Sequence, residues 1–111
     1  MRDLRETIAA CATPPGHGAI SIVRVSGSLA LKVAQTLAPR SSLRTPHKLH
    51  RCALRNPSGD LIDSAMLVEM PAPKSYTGED CVEFHVHGSP SIVQSLLESC
   101  FALGCRLAAP G

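Results

Sequence analysis

A chain of 111 residues, 44% of them hydrophobic, can build one compact core and has no room for two. One Tyr, two Phe and no Trp leave that core to aliphatic side chains and argue against the aromatic platforms on which single-stranded nucleic acid usually stacks. A formal charge of +2 neither requires nor forbids a polyanionic partner.

The five cysteines, at 11, 52, 81, 100 and 105, have no C-x-x-C spacing and do not resemble a zinc ribbon or a secreted disulfide framework. No segment reaches the length of a signal h-region or of a membrane-spanning helix. A cytoplasmic setting with reduced thiols and no membrane partner is therefore expected.

"ETIAACA", residues 6–12, reads as a short strand, and "TPPGHGA", residues 13–19, as a fixed loop. "AISIVRVS", residues 19–26, is rich in β-branched side chains and predicts a strand broken by Gly27. Ser28 can cap a helix that runs to about Ala38 and stops at Pro39, with Ala30, Val33, Ala34 and Leu37 as its apolar stripe. Residues 40–48 are polar and read as an exposed connection. "LHRCALR" and "LIDSAMLVEM" flank "NPSGD" and predict a hairpin. In its second strand, Ile62, Ser64, Met66, Val68 and Met70 would share a face. "PAPKSYTGED", residues 71–80, is a long loop, and residues 81–87 form another strand, ended by Gly88. Ser89-Pro90 opens a second helix whose buried face would be Ile92, Val93, Leu96, Leu97, Cys100 and Phe101, with Gly104 as its stop. "CRLAA" can form a last short strand. The order β-β-α-β-β-β-α predicts an α+β fold in which a mixed sheet of about five strands packs against two or more helices.

Three polar features stand out. Arg24 lies between Val23 and Val25, and Glu83 between Val82 and Phe84. A charge on a covered strand face needs a partner. Arg24 and Glu83 are therefore solvated charges, an internal ion pair, or groups awaiting a polar ligand. A strand carboxylate can accept two parallel N–H bonds from an amino-pyrimidinone edge, the fork that arginine offers to carboxylates. His85 and His87 have H-x-H spacing and share a strand face with Cys81 and Glu83, which makes a zinc site chemically possible. Its remaining ligands would have to come from distant residues such as His47 or His50, so a metal site is the weaker reading. "SYTGED", residues 75–80, is a turn that can also line a site, with Tyr76, Thr77 and Gly78 as candidate pocket residues. No P-loop motif occurs, so catalysis of nucleotide hydrolysis by this segment is not expected.

"TIAACATPPGHGAISIVRVSG" and "SYTGEDCVEFHVHG" together resemble the two signatures of the MnmE (TrmE) family of tRNA modification GTPases, and the likeness extends over residues 7–111. The resemblance implies that residues 1–111 are a single N-terminal folate-binding and dimerisation domain. Its fold would resemble the tetrahydrofolate-binding domain of glycine-cleavage T-protein. Helical and Ras-like GTPase domains would lie elsewhere and carry GTP, Mg and K. The cofactor implied is a tetrahydrofolate derivative in the 5-formyl or methylene form, with Arg24 and Glu83 matching the family's folate contacts. A further contact, a lysine of the helical domain, falls beyond residue 111. The implied partners are a second copy of the chain, the flavoprotein MnmG, and tRNA modified at its wobble uridine. Ser89 and His17 depart from the family pattern, where a second glycine and an arginine are frequent. The alternatives are an assembly module without ligand and a metal site at His85 and His87.

Overall fold

The computed structural model describes residues 6–13, 19–75 and 77–108. The Pro-Pro-Gly-His-Gly run at 14–18, with His17, and the candidate pocket residue Tyr76 lie outside the described residues. The elements are β1 (Ile8–Cys11), β2 (Ile20–Ser26), α1 (Ala30–Leu37), β3 (His50–Arg55), β4 (Leu61–Met70), β5 (Cys81–His87), α2 (Pro90–Ala102) and β6 (Arg106–Leu107). They form an α+β structure with one sheet of six strands, in the order β3-β4-β5-β2-β1-β6. All pairings are antiparallel except that of β1 with β6, so the sheet is mixed. The sixth strand, the short one read in "CRLAA", is two residues long. It is held where the Arg106 N–H donates to the Thr7 carbonyl at 2.8 Å and the Ala108 N–H to that of Ala9 at 3.2 Å.

Strand alternation gives the sheet two unlike faces. Val23, Val25, Leu67, Val82, Phe84 and Val86 point to one of them and are fully or almost fully buried. Both helices pack there. Ala30, Val33, Ala34 and Leu37 of α1 complete the core as their spacing predicts, joined by Leu96 and Cys100 of α2. Phe101 departs from the expected buried face and is 38% exposed, whereas Ser99 is buried with its hydroxyl donating to the Ser95 carbonyl at 2.9 Å. Ile62 also departs. The register shifts near Leu54 and Arg55, and Ile62 packs against the helix-side core, away from Ser64, Met66 and Val68.

The starts of the helices differ from the capping expected. Leu29, not Ser28, is the residue before α1, and its N–H donates to Thr7 Oγ1 at 2.9 Å, so the cap comes from the start of β1. Ser89 does precede α2, with Pro90 in the first turn, but its hydroxyl meets Ser91 Oγ at 3.0 Å and makes no backbone cap bond. Gly27 has φ +135°, and a Cβ there would lie 2.6 Å from both the Glu6 carbonyl oxygen and Thr7 Cα. Only glycine lets β1 pass that close to the β2–α1 turn.

Residues 40–48 are mostly exposed, but Arg44 is not. Its side chain is 3% exposed, donates to the Ala38 carbonyl at the end of α1, and lies 3.6 Å from Glu69 Oε2. The positive charge satisfies an orphan carbonyl at the negative end of the helix, which explains how a cation is tolerated under a polar connection.

Candidate functional site

Among the described residues, no helix packs on the second sheet face. Along β2 it presents Ile20, Ile22, Arg24 and Ser26, and along β5 Cys81, Glu83, His85 and His87. Ser64, Met66, Val68 and Met70 continue it on β4. Arg24 and Glu83 are direct cross-strand partners, flanked in the same row by Ala10 of β1 and Val68 of β4.

Arg24 Nε and Nη2 both donate to the same carboxylate oxygen, Oε2 of Glu83, at 2.9 and 2.7 Å. The other oxygen, Oε1, lies 3.2 Å from His85 Nε2, a bond that places the proton on that nitrogen. The Glu83 side chain is 8% exposed and that of Arg24 36%. Of the three settings open to Arg24 and Glu83 from sequence, the internal ion pair is the one formed. The carboxylate is buried among apolar neighbours, and both its oxygens are engaged. A planar ring offering two N–H groups would reach Glu83 by taking Oε1 from His85 or by sharing Oε2 with Arg24.

The two histidines do not converge. His85 turns to Glu83, while His87 Nδ1 lies 2.9 Å from Asp63 Oδ1, and the His87 N–H donates to Asp63 Oδ2 at 2.9 Å. Asp63 thus pins the end of β5 to β4. Among the described residues no three His, Cys, Asp or Glu side chains are placed to share a metal ion. Cys81, next to Glu83 on the same face, is fully buried, and burial pushes its thiol up to about 11. It stays protonated at neutral pH and offers no nucleophile.

The loop 71–80 folds back onto one end of this face. Thr77 Oγ1 meets Ser26 Oγ at 2.7 Å, and Ser26 donates to Glu79 Oε2 at 3.1 Å. The Ala72 N–H donates to Asp80 Oδ1 at 2.9 Å, and the Gly27 N–H to the Asp80 carbonyl at 2.9 Å. Thr77 therefore sits one step along the sheet from the ion pair, roughly 7 Å by strand geometry. Gly78 has φ +79° and open space around it. At the other end of the face, a cavity of about 390 Å³ is lined by Ile20, Arg51, Ser64, Met66, His85 and His87, among others. The ion pair lies between the loop and this cavity.

Asp63, Arg44 and Ser26 were not singled out in the sequence, whereas Thr77 and Glu79, which Ser26 meets, lie in the loop that was. Asp63 had a legible signal, a lone acid in the apolar run "LIDSAMLV". Arg44 had none, because it lies in a segment whose composition is that of a solvated loop.

Comparison with known proteins agrees with the two signature stretches. A family model described as the GTP-binding protein TrmE N-terminus matches residues 7–111. A tRNA modification GTPase MnmE of Stutzerimonas stutzeri (strain A1501) is 47% identical over 111 residues, covering 100% of this chain and 24% of that protein. Its namesake in Pseudomonas putida (strain W619) is 43% identical over the same 111 residues, with the same coverage of 100% and 24%. That of Nitrosococcus oceani is 44% identical over 110 residues, covering 99% of this chain and 24% of the relative. The chain thus spans about a quarter of the length of these curated relatives. Matched along almost its full length, from the residue before β1 onward, the chain belongs to the TrmE N-terminus family of the MnmE tRNA modification GTPases.

Proposed function

We propose that the chain is a single folate-binding and dimerisation domain, and that it holds a one-carbon tetrahydrofolate derivative, in the 5-formyl or methylene form, against the open sheet face. The observation that carries this reading is Glu83, a carboxylate 8% exposed in the middle of a face that no helix of the described residues covers. The residues fit the group. The amino-pyrimidinone edge of a pterin needs a carboxylate acceptor and a flat apolar bed; Ala10 and Val68 flank the pair in register, and Ile22 lies one step along β2 on the same face. Glu83 grips the edge, Arg24 holds the carboxylate ionised and in place, and Thr77 and Gly78 border the entrance. The tetrahydrofolate derivative, when bound, supplies the one-carbon unit. The fold on this reading is that of the tetrahydrofolate-binding domain of glycine-cleavage T-protein.

The proposal extends to the wider role. The domain acts in the cytoplasm, as a homodimer, within a longer protein whose helical and GTPase domains handle GTP with Mg and K. With MnmG that protein modifies the wobble uridine of tRNA. Titration calorimetry with 5-formyltetrahydrofolate tests the ligand assignment. Binding by the wild type, weakened by about 1 kcal/mol or more in Glu83→Ala, is expected for the loss of a charge-assisted bond. Equal affinity in the variant would sink it.

A second reading has its own observation: both oxygens of Glu83 are already satisfied within the chain. On that reading the open face is an assembly surface only. A dimer in analytical ultracentrifugation, with no heat of binding for any reduced folate, would favour it.

A further inference from the structure

One edge of the sheet is β3, which among the described residues pairs with β4 alone. Beside it runs a cleft of about 500 Å³ lined by Arg40, Arg44, His50, Arg51 and Arg55, with Pro39, Cys52 and Ala53 between them. Four of the chain's eight arginines meet there, and no carboxylate is among the lining residues. In a chain with 11 Lys and Arg against 9 Asp and Glu, that is a strong local excess. Arg44 is the back wall, and its charge is met from behind by Glu69. Its Nε is buried with no hydrogen-bond partner among the described residues. Arg40 Nη1 lies 2.9 Å from His50 Nδ1, and His50 Nε2 lies 3.1 Å from the Thr45 carbonyl, so Arg40 is held upright beside the strand. Arg51 and Arg55 are exposed and stand four residues apart, roughly 13 Å along the strand.

Charged edges commonly serve only to keep sheets from pairing edge to edge. That role needs one or two lysines, not a concave cluster of arginines built around a buried one. Guanidinium groups are suited to phosphate oxygens, which they bind through paired donors. The shortage of aromatic residues excludes base stacking as the main contact and leaves the backbone. The relatives carry the name of tRNA modification GTPases.

We infer that the β3 edge, through Arg40, Arg51 and Arg55 against the Arg44 wall, is a contact surface for the phosphodiester backbone of RNA. It reads charge and spacing, not sequence. Arg51 also lines the cavity beside His85, so the RNA-binding edge borders the open face.

The test is fluorescence anisotropy with the 111-residue chain and a fluorescein-labelled in vitro tRNA transcript, between about 50 and 200 mM salt. The expected result is binding that weakens steeply with salt. Arg51→Ala/Arg55→Ala should lose about tenfold in affinity at low salt and flatten the log–log salt slope by about 1.5, as two lost phosphate contacts require. Arg51→Ala alone, which leaves the contact of Arg55 Nη1 with the Gly59 carbonyl intact, should flatten it by about half as much. Arg106→Ala, on the opposite edge of the sheet, should stay within about twofold of wild type. The inference fails if the wild type does not bind at low salt, or if the β3 variants keep its affinity and slope. It fails equally if Arg106→Ala costs as much as the β3 changes, or if those changes alter self-association in the ultracentrifuge but not RNA affinity.

Discussion

Removing either partner of the Arg24–Glu83 pair should have unequal effects, and the inequality follows from exposure. Arg24→Ala strips two charge-assisted bonds from Oε2 and leaves a carboxylate that is 8% exposed with only His85 beside it. An uncompensated buried charge of this kind costs about 3 kcal/mol. Glu83→Gln keeps the shape and one acceptor oxygen. The Arg24 side chain, facing a neutral amide in place of a carboxylate, is 36% exposed, so water can replace most of what is lost, at a cost of about 1 kcal/mol. In a chain of this size each kcal/mol moves Tm by about 4 °C, giving falls of about 12 °C and about 4 °C. The double variant Arg24→Ala/Glu83→Gln leaves no unpaired buried charge at this site, so it should be more stable than Arg24→Ala alone. Thermal and urea unfolding followed by far-ultraviolet circular dichroism read all three, since the chain has no Trp to report by fluorescence. If Arg24→Ala costs no more than Glu83→Gln, or if the second change fails to recover stability, Glu83 is not the buried member of the pair.

Two further outcomes can be checked alongside. Gly27→Ala would drive a Cβ to within 2.6 Å of the Glu6 carbonyl oxygen and Thr7 Cα at φ +135°, and should cost roughly 3 kcal/mol, visible as a loss of denaturant midpoint. Cys81, whose thiol is pushed up to about 11 from an ordinary value of 9.0, holds more protons folded than unfolded over that interval. Its contribution, on the order of 2 kcal/mol, is fully present below pH 9 and is lost as pH rises through 11. Cys81→Ala should therefore flatten the alkaline fall in stability, and an unchanged slope would contradict the burial of that thiol.

The sequence was informative wherever local pattern and tertiary packing agreed. The stripe Ala30, Val33, Ala34 and Leu37 needs only a 3.6-residue period to be recognised, and all four side chains are buried. Pairing Arg24 with Glu83 was already conceivable from two charges in two apolar strands. That they sit opposite each other depends on the β2–β5 register, which long-range hydrogen bonding fixes. The misread residues share a cause. Ile62 follows a register irregularity, Leu29 is capped by a hydroxyl 22 positions earlier, and Arg44 is buried by a helix end and a distant glutamate. His85 and His87 share a face by alternation, as read, yet each finds a different acid. Spacing records which side chains can meet, and the supply of partners decides which do.

The burial of Arg44 has a consequence for how the 39–48 connection behaves as a surface. Because one guanidinium joins the end of α1 to Glu69 of β4, the segment is anchored near its midpoint rather than only at its ends. A wall fixed in this way has little backbone entropy left to lose when something docks against it. A lysine in its place is a single point charge and could not serve the carbonyl and the carboxylate through separate groups of a rigid fork. Arginine at this position therefore sets the stiffness of the cleft as well as adding to its charge.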